Sequence, residues 1–135
     1  TIGNYAFYRC ISQPSITIPS SVKHIGKEAF KHCNNLSEVA LPKMLRNIRE
    51  NAFRGCTSLK KVVFGKRVLA ISSGAFSGCT SLEEVVLPRS VRSIARHAFI
   101  NCTSLKSVLI SANFEDDIER IFGDIDKSII KFYGR

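Results

Sequence analysis

Apolar residues recur along this chain every 23 positions. Ile2, Ile25, Ile48, Ile71 and Ile94 open the series, and Ala-Phe pairs follow at Ala6-Phe7, Ala29-Phe30, Ala52-Phe53, Ala75-Phe76 and Ala98-Phe99. Cys10, Cys33, Cys56, Cys79 and Cys102 hold the same offset, and Leu36, Leu59, Leu82 and Leu105 form the next column, with Gln13 as its exception. A fixed period in the 20s marks a solenoid of stacked units. The columns Ile16, Val39, Val62, Val85, Val108 and Ile18, Leu41, Phe64, Leu87, Ile110 lie two positions apart, a period of 2. That spacing predicts a short half-buried strand in each unit. Pro19, Pro42 and Pro88 follow it directly, with Gly65 and Ser111 in the other two units. Proline cannot donate to a ladder, so the strand stops there. Val22, Leu45, Val68, Val91 and Phe114 then turn the chain inward again.

The I-x-x-x-A-F-x-x-C segment has apolar residues at i, i+4, i+5 and i+8, which predicts a short helix of one or two turns. Gly55, Gly78 and Asn101 precede the cysteine, where a left-handed residue would close that helix. Arg9 and His32 depart from this, so the first two units are expected to turn differently. Stacking such units pairs the strands in parallel and piles Phe on Phe and Cys on Cys. No unit buries its own apolar face, so stability belongs to the stack.

The last 21 residues leave the pattern. Phe122 keeps the Phe register, whereas Ile121, Ile125 and Ser128 replace Ala, Cys and Leu. Ile118, Ile121, Phe122 and Ile125 line one face of a predicted helix. Asn113 is its expected cap, with Glu115, Asp116 and Asp117 in its first turn and Gly123 as an early stop. Ile129 to Tyr133 offers a final strand. The expected organisation is five 23-residue repeats over 1–114 and a degenerate last repeat over 115–135 that caps the open edge.

The L-x-x-L-x-L kernel, with A-F-x-x-C before it and Pro after it, resembles the BspA-like, or treponemal-type, leucine-rich repeat family. All five Ala-Phe-x-x-Cys motifs are intact, and the likeness covers residues 1–114. The resemblance implies an α/β repeat solenoid: a right-handed leucine-rich-repeat superhelix with a parallel concave sheet and short convex helices. It also implies a bacterial surface or secreted protein concerned with attachment and protein binding. The implied location is extracytoplasmic, meaning cell surface, periplasm or secreted.

Composition changes the picture in two places. The chain has 135 residues, is 44% apolar and carries a net charge of +9. Residues 1–114 hold 16 Lys/Arg against 5 Asp/Glu, whereas residues 115–135 hold 4 against 6. Such asymmetry suits either a well-solvated surface or an anionic partner. Five cysteines in one column form no C-x-x-C cluster, so neither a zinc site nor a disulfide framework is indicated. Coils stacked at about 4.8 Å would bring the thiols close enough to bridge. A position used alike in every unit is more simply a small buried hydrophobe, and free thiols are expected. No run of about 18 apolar residues exists to span a membrane. The chain opens at Thr1 inside a repeat and reads as a processed or trimmed product, so the lack of a signal peptide does not bear on location.

Catalytic chemistry finds no foothold. His24, His32 and His97 fall in different columns and outside any H-E-x-x-H arrangement, and no G-x-S-x-G or phosphate loop occurs. No catalytic residue, metal ligand or cofactor site is expected. Asn35-Leu36-Ser37 and Asn101-Cys102-Thr103 are formal glycosylation acceptors that arise from corner residues of the repeat.

The informative residues are those that alternate outward on the strands. One stripe runs Ser15, Glu38, Lys61, Glu84, Ser107, with charges able to pair across strands. The other runs Thr17, Ala40, Val63, Val86, Leu109 and is largely apolar where water should be. A continuous exposed apolar stripe marks an interaction surface, though β-branched residues also simply make good strands. A basic rim follows the strand ends: Lys43, Lys66 and Arg89, then Lys23, Arg46 and Arg92. The expected function is therefore a non-enzymatic protein-protein interaction module of the adhesion type, using the concave face. Two alternatives stay open: a polyanion or anionic-lipid binder acting through the rim, and a self-associating structural repeat protein. Partners are thus a host protein or a second copy, with membrane-surface contact open to the rim. Nucleic acid is disfavoured, because no aromatic residues interleave with the basic positions.

Overall fold

A computed structural model describes residues 1–10 and 14–134. The kernel strands are β1 (Ser15–Ile16), β3 (Glu38–Ala40), β5 (Lys61–Val63), β7 (Glu84–Val86) and β9 (Ser107–Ser111). All pair in parallel, with Glu38 opposite Lys61 and Glu84 opposite Ser107. β3, β5 and β7 read exposed, buried, exposed, as the period-2 pattern requires, whereas β9 reads exposed, buried, half-buried. The ladder is interrupted between β5 and β7. There the kernel position holds Phe64 in place of Leu, and its ring stays half-buried, edge-on to Phe76 at 5.7 Å.

A second row of two-residue strands lines the other side of the stack: β2 (His24–Ile25), β4 (Asn47–Ile48), β6 (Ala70–Ile71) and β8 (Ser93–Ile94). These too are parallel, and Ile2 adds an isolated bridge to Ile25. The repeated isoleucine thus ends a short strand and does not open a helix.

The convex arcs differ from expectation. In the repeats they are tandem turns, and the few short helices gather at the C-terminal end. Two left-handed residues per coil explain this. Tyr5, Glu28, Asn51, Gly74 and His97 form one such column, and Arg9, His32, Gly55, Gly78 and Asn101 the other, all with φ between 55° and 73°. A helix cannot pass through a left-handed residue every fourth position. Instead Ala29 N–H donates to Gly26 C=O and Cys33 N–H to Phe30 C=O, closing turns whose third residues, Glu28 and His32, need positive φ. Phe30 N–H and His32 N–H donate to Ala52 and Arg54 of the next coil, so even this side is bonded coil to coil. Arg9 and His32 adopt the same conformation as Gly55, which corrects the expectation that the first two coils turn differently. Gly55 has a further reason to be glycine: a Cβ there would collide with the His32 ring.

The core is a set of ladders. Phe7, Phe30, Phe53, Phe76, Phe99 and Phe122 stack face to face at 5.0 to 5.3 Å. Burying each ring contributes about 1.5–3 kcal/mol, and each stacked pair about 0.5–1.5 kcal/mol more. The five cysteines are free. Each thiol from Cys33 to Cys102 donates to the Phe carbonyl 26 residues earlier, at 3.1 to 3.3 Å. Each of these carbonyls also accepts from the backbone N–H three residues on, so the thiol supplies a second bond that a buried methyl could not. Gln13 lies outside the described residues.

After β9 comes a 3-10 helix, Ala112–Asp117, then α1 (Ile118–Phe122), a 3-10 turn at Lys127–Ile129, and β10 (Ile130–Tyr133), which pairs in parallel with β9. Ile118, Ile121 and Phe122 are buried, as the helical spacing predicts. The cap is Ser111, not Asn113: the Ser111 hydroxyl accepts from Asn113 N–H at 3.2 Å. Gly123, at φ 75°, ends α1. Ile125 falls beyond the helix.

Candidate functional site

The outward stripes lie where the alternation places them. Ser15, Thr17, Glu38, Ala40, Lys61, Val63, Glu84, Val86 and Ser107 are all exposed, with Val63 at 49% and Val86 at 42%. Leu109 is the exception. It is half-buried, because β10 pairs beside it and sets Lys131 opposite. The apolar stripe is therefore widest over β5 and β7 and narrows toward the C-terminal end.

Ala40 is the smallest residue of that stripe. Around it lies a shallow depression of about 250 Å³, walled by Thr17 and Val63 with Glu38 and Lys61 at its edge. Glu38 and Lys61 share a register position, but no ion pair joins these stripe charges among the described residues. They remain available to a partner. The cross-coil pair that does form is Lys106 with Glu83, at 3.3 Å and off the stripe.

Lys43, Arg46, Lys66, Arg89 and Arg92 are exposed along the rim. Arg89 alone among these five is engaged, its guanidinium 4.4 Å from the centre of the Tyr133 ring. That cation–π contact joins the fourth coil to the last strand and was invisible in the sequence, since it crosses two coils. Leu69, 40% exposed, interrupts the outer row between Arg46 and Arg92.

The remaining candidates are structural. His24 Nδ1 lies 2.9 Å from the Asn47 amide one coil on. Burial first, then the nearby Lys31, Arg9 and Arg54, holds His32 below its ordinary pKa. Burial pushes the Cys102 thiol up to about 12 and Cys79 well up too. Cys56 is raised as well, by its contact with Cys33 and then by burial. A thiol held neutral is a poor nucleophile and a poor metal ligand. No group of three His, Cys, Asp or Glu side chains placed to hold a metal occurs among the described residues.

A stack of parallel strands with the L-x-x-L-x-L kernel defines a leucine-rich-repeat solenoid. The profile of the BspA type leucine rich repeat region matches residues 1–127 in six copies, and the chain belongs to that family. It is similar to a leucine rich repeat protein of Treponema pallidum, at 44% identity over 80% of this chain and 50% of that one, with a TM-score of 0.79. It also resembles a leucine-rich repeat protein of Bacteroides ovatus (26% identity, 98% of this chain and 40% of that one, TM-score 0.69). A leucine rich cell surface protein of Faecalibacterium prausnitzii matches at 25% identity, over 91% of this chain and 33% of that one, with a TM-score of 0.75. The chain thus spans half or less of these relatives. No curated protein matches it. Leucine-rich-repeat proteins are typically non-enzymatic protein-interaction modules, and BspA-like members are often surface or secreted. No helix among the described residues is long and apolar enough to cross a membrane.

Proposed function

We propose that this chain is a non-enzymatic protein-binding module of the attachment type, acting outside the cytoplasm through its concave sheet. The observation that carries this is the exposure of Val63 and Val86 side by side on the outward face, beside the depression over Ala40. Apolar groups in that position gain only when a partner covers them. Glu38, Lys61 and Glu84 flank the stripe with alternating charge and orient whatever docks there. The rim residues Lys43, Arg46, Lys66 and Arg92 raise encounter rates with acidic surfaces rather than set affinity. Residues 115–135 cap the open end of the stack, with β10 closing the sheet. The cell surface description of the Faecalibacterium relative supports the location.

The test is binding to a panel of purified extracellular proteins by the parent chain and by the Val63→Ser, Val86→Ser, Leu109→Ser variant. The variant should keep the parent far-UV circular dichroism and lose binding by about tenfold or more. A folded variant that binds as well as the parent overturns the concave reading. Binding that instead collapses with salt and with Lys43→Glu, Lys66→Glu would favour the polyanion alternative.

A further inference from the structure

The outward face of the middle coils matches itself. Glu38, Ala40, Lys61 and Val63 lie on β3 and β5, which have a coil on either side, so their exposure owes nothing to the ends of the stack. Val63 projects from β5, and its register partner on β3 is Ala40, over which the depression of about 250 Å³ opens. Two residues earlier on the same strands, Glu38 and Lys61 are register partners too. No ion pair joins these stripe charges among the described residues. A projecting and a recessed apolar position therefore stand beside a free base and a free acid.

A two-fold axis above this face, parallel to the strands and midway between β3 and β5, turns that arrangement into a match. The rotation keeps each residue's height along the strand and exchanges the two strands. Val63 of one copy then faces the depression over Ala40 of the other, and Glu38 faces Lys61, each contact occurring twice. The same rotation sets exposed Val86 over the Thr17 methyl and brings the Ser15 hydroxyl, a donor, to the Glu84 carboxylate. An axis between β5 and β7 would also pair Lys61 with Glu84. It would press Val63 on Val86, however, and leave the Ala40 depression to half-buried Leu109. The larger cavity below the fifth coil, about 450 Å³ and walled by Phe122, Ile125 and Ile129, has only Asp124 and Asp126 as charged lining, so it does not match itself.

We propose that the concave face takes a second copy of this chain, face to face with its coil order reversed, Val63 of each copy seated over Ala40 of the other and Glu38 paired to Lys61. This rests on the concave reading above and names its occupant. Facing sheets pack about 10 Å apart with their side chains interdigitated, a spacing at which a large residue must meet a small one. The four charges form a ring of alternating sign, in which each carboxylate has one lysine beside it and one across the contact. The contact is isologous, so it closes at two copies. Eight outward residues per copy, two from each of four coils, fall short of the about 20–30 of a standard interface. The dimer is therefore weak and concentration-dependent, and salt weakens it further by screening the charge pairs.

The experiment is mass by sedimentation velocity across a dilution series, for the parent and for charge variants of these exposed residues. The parent should pass from monomer to dimer and stop there. Glu38→Lys or Lys61→Glu alone sets like charges opposite each other twice, and each should weaken the dimer about tenfold or more. An equal mixture of the two should associate, because every facing pair is again opposite in sign. The double exchange Glu38→Lys, Lys61→Glu restores the signs within one chain and should dimerise as the parent does. Glu84→Lys, which faces Ser15, should also dimerise as the parent does. A parent that stays monomeric overturns the second copy as occupant, as does one that grows past a dimer. The concave reading itself is decided separately, by whether the Val63→Ser, Val86→Ser, Leu109→Ser variant still binds the extracellular panel. A double exchange that does not recover, or a Glu84→Lys loss as large as that of Glu38→Lys, overturns the pairing too.

Discussion

The inward and outward columns of this solenoid obey different rules. Inward, Phe30, Phe53, Phe76 and Phe99 repeat without change, as do Cys33 to Cys102, because each side chain packs on its own copy one coil away. A ring of another size would disturb two neighbours at once. Outward, the column Thr17, Ala40, Val63, Val86, Leu109 holds four residue types over five coils, since nothing above it dictates a shape. Repetition marks what the stack needs, and variation marks the surface on which we propose that a partner is read. The basic rim sits between these cases: its charge recurs in most coils, with lysine and arginine interchanged.

Breaking the inward rule should cost most. Phe76→Ala removes a fully buried ring stacked on both faces, and unfolding in denaturant should show a loss of about 3–5 kcal/mol. Next comes Cys79→Ala. It removes a buried sulfur and its bond to the Phe53 carbonyl at 3.2 Å, while that carbonyl keeps the Cys56 N–H, so the loss should be about 1–2 kcal/mol from the bond and the vacated volume. The same change at half-buried Cys10 should be nearly silent.

Alkaline pH probes this column without mutation. Burial holds the Cys79 and Cys102 thiols protonated in the folded chain, Cys102 to about 12, whereas the unfolded chain releases those protons near 9.0. Above that pH the unfolded state binds fewer protons, so stability falls as pH rises. The denaturant midpoint should therefore drop from about pH 8 to about pH 10, and drop less in the Cys79→Ala, Cys102→Ala variant. Smallest of all should be the outward changes. Val63→Ser with Val86→Ser should shift stability by only about 1 kcal/mol, since exposed substitutions are individually worth about 0.5 kcal/mol.

Much of this architecture was legible because its cause is periodic. The kernel strands, the Phe ladder and the in-out alternation follow from spacing alone, whereas the second row of strands stands where the spacing pointed to a helix. The convex arc was not legible in the same way. Apolar residues at i, i+4 and i+5 fit a helix, and in the first two coils the left-handed positions that forbid one are filled by Tyr5, Arg9, Glu28 and His32, residues that carry no turn signal. Contacts that cross coils were also hidden: the thiol–carbonyl bonds, Arg89 over Tyr133, and the cavity below the fifth coil. The Tyr133 contact and the cavity depend on how far the last coil departs from its predecessors, which a repeat pattern does not encode. The half-burial of Leu109 has that origin too.

The claim that recognition lives on the variable outward column is tested most directly by selecting binders without assuming a partner. Random peptides displayed on phage would be selected on the intact 135-residue chain, then titrated against the parent and against the Val63→Ser, Val86→Ser, Leu109→Ser variant. The account predicts that most selected peptides lose their affinity for the variant, because the concave stripe is the surface that rewards being covered. Peptides that bind the folded variant as tightly as the parent would contradict it and assign recognition to another face.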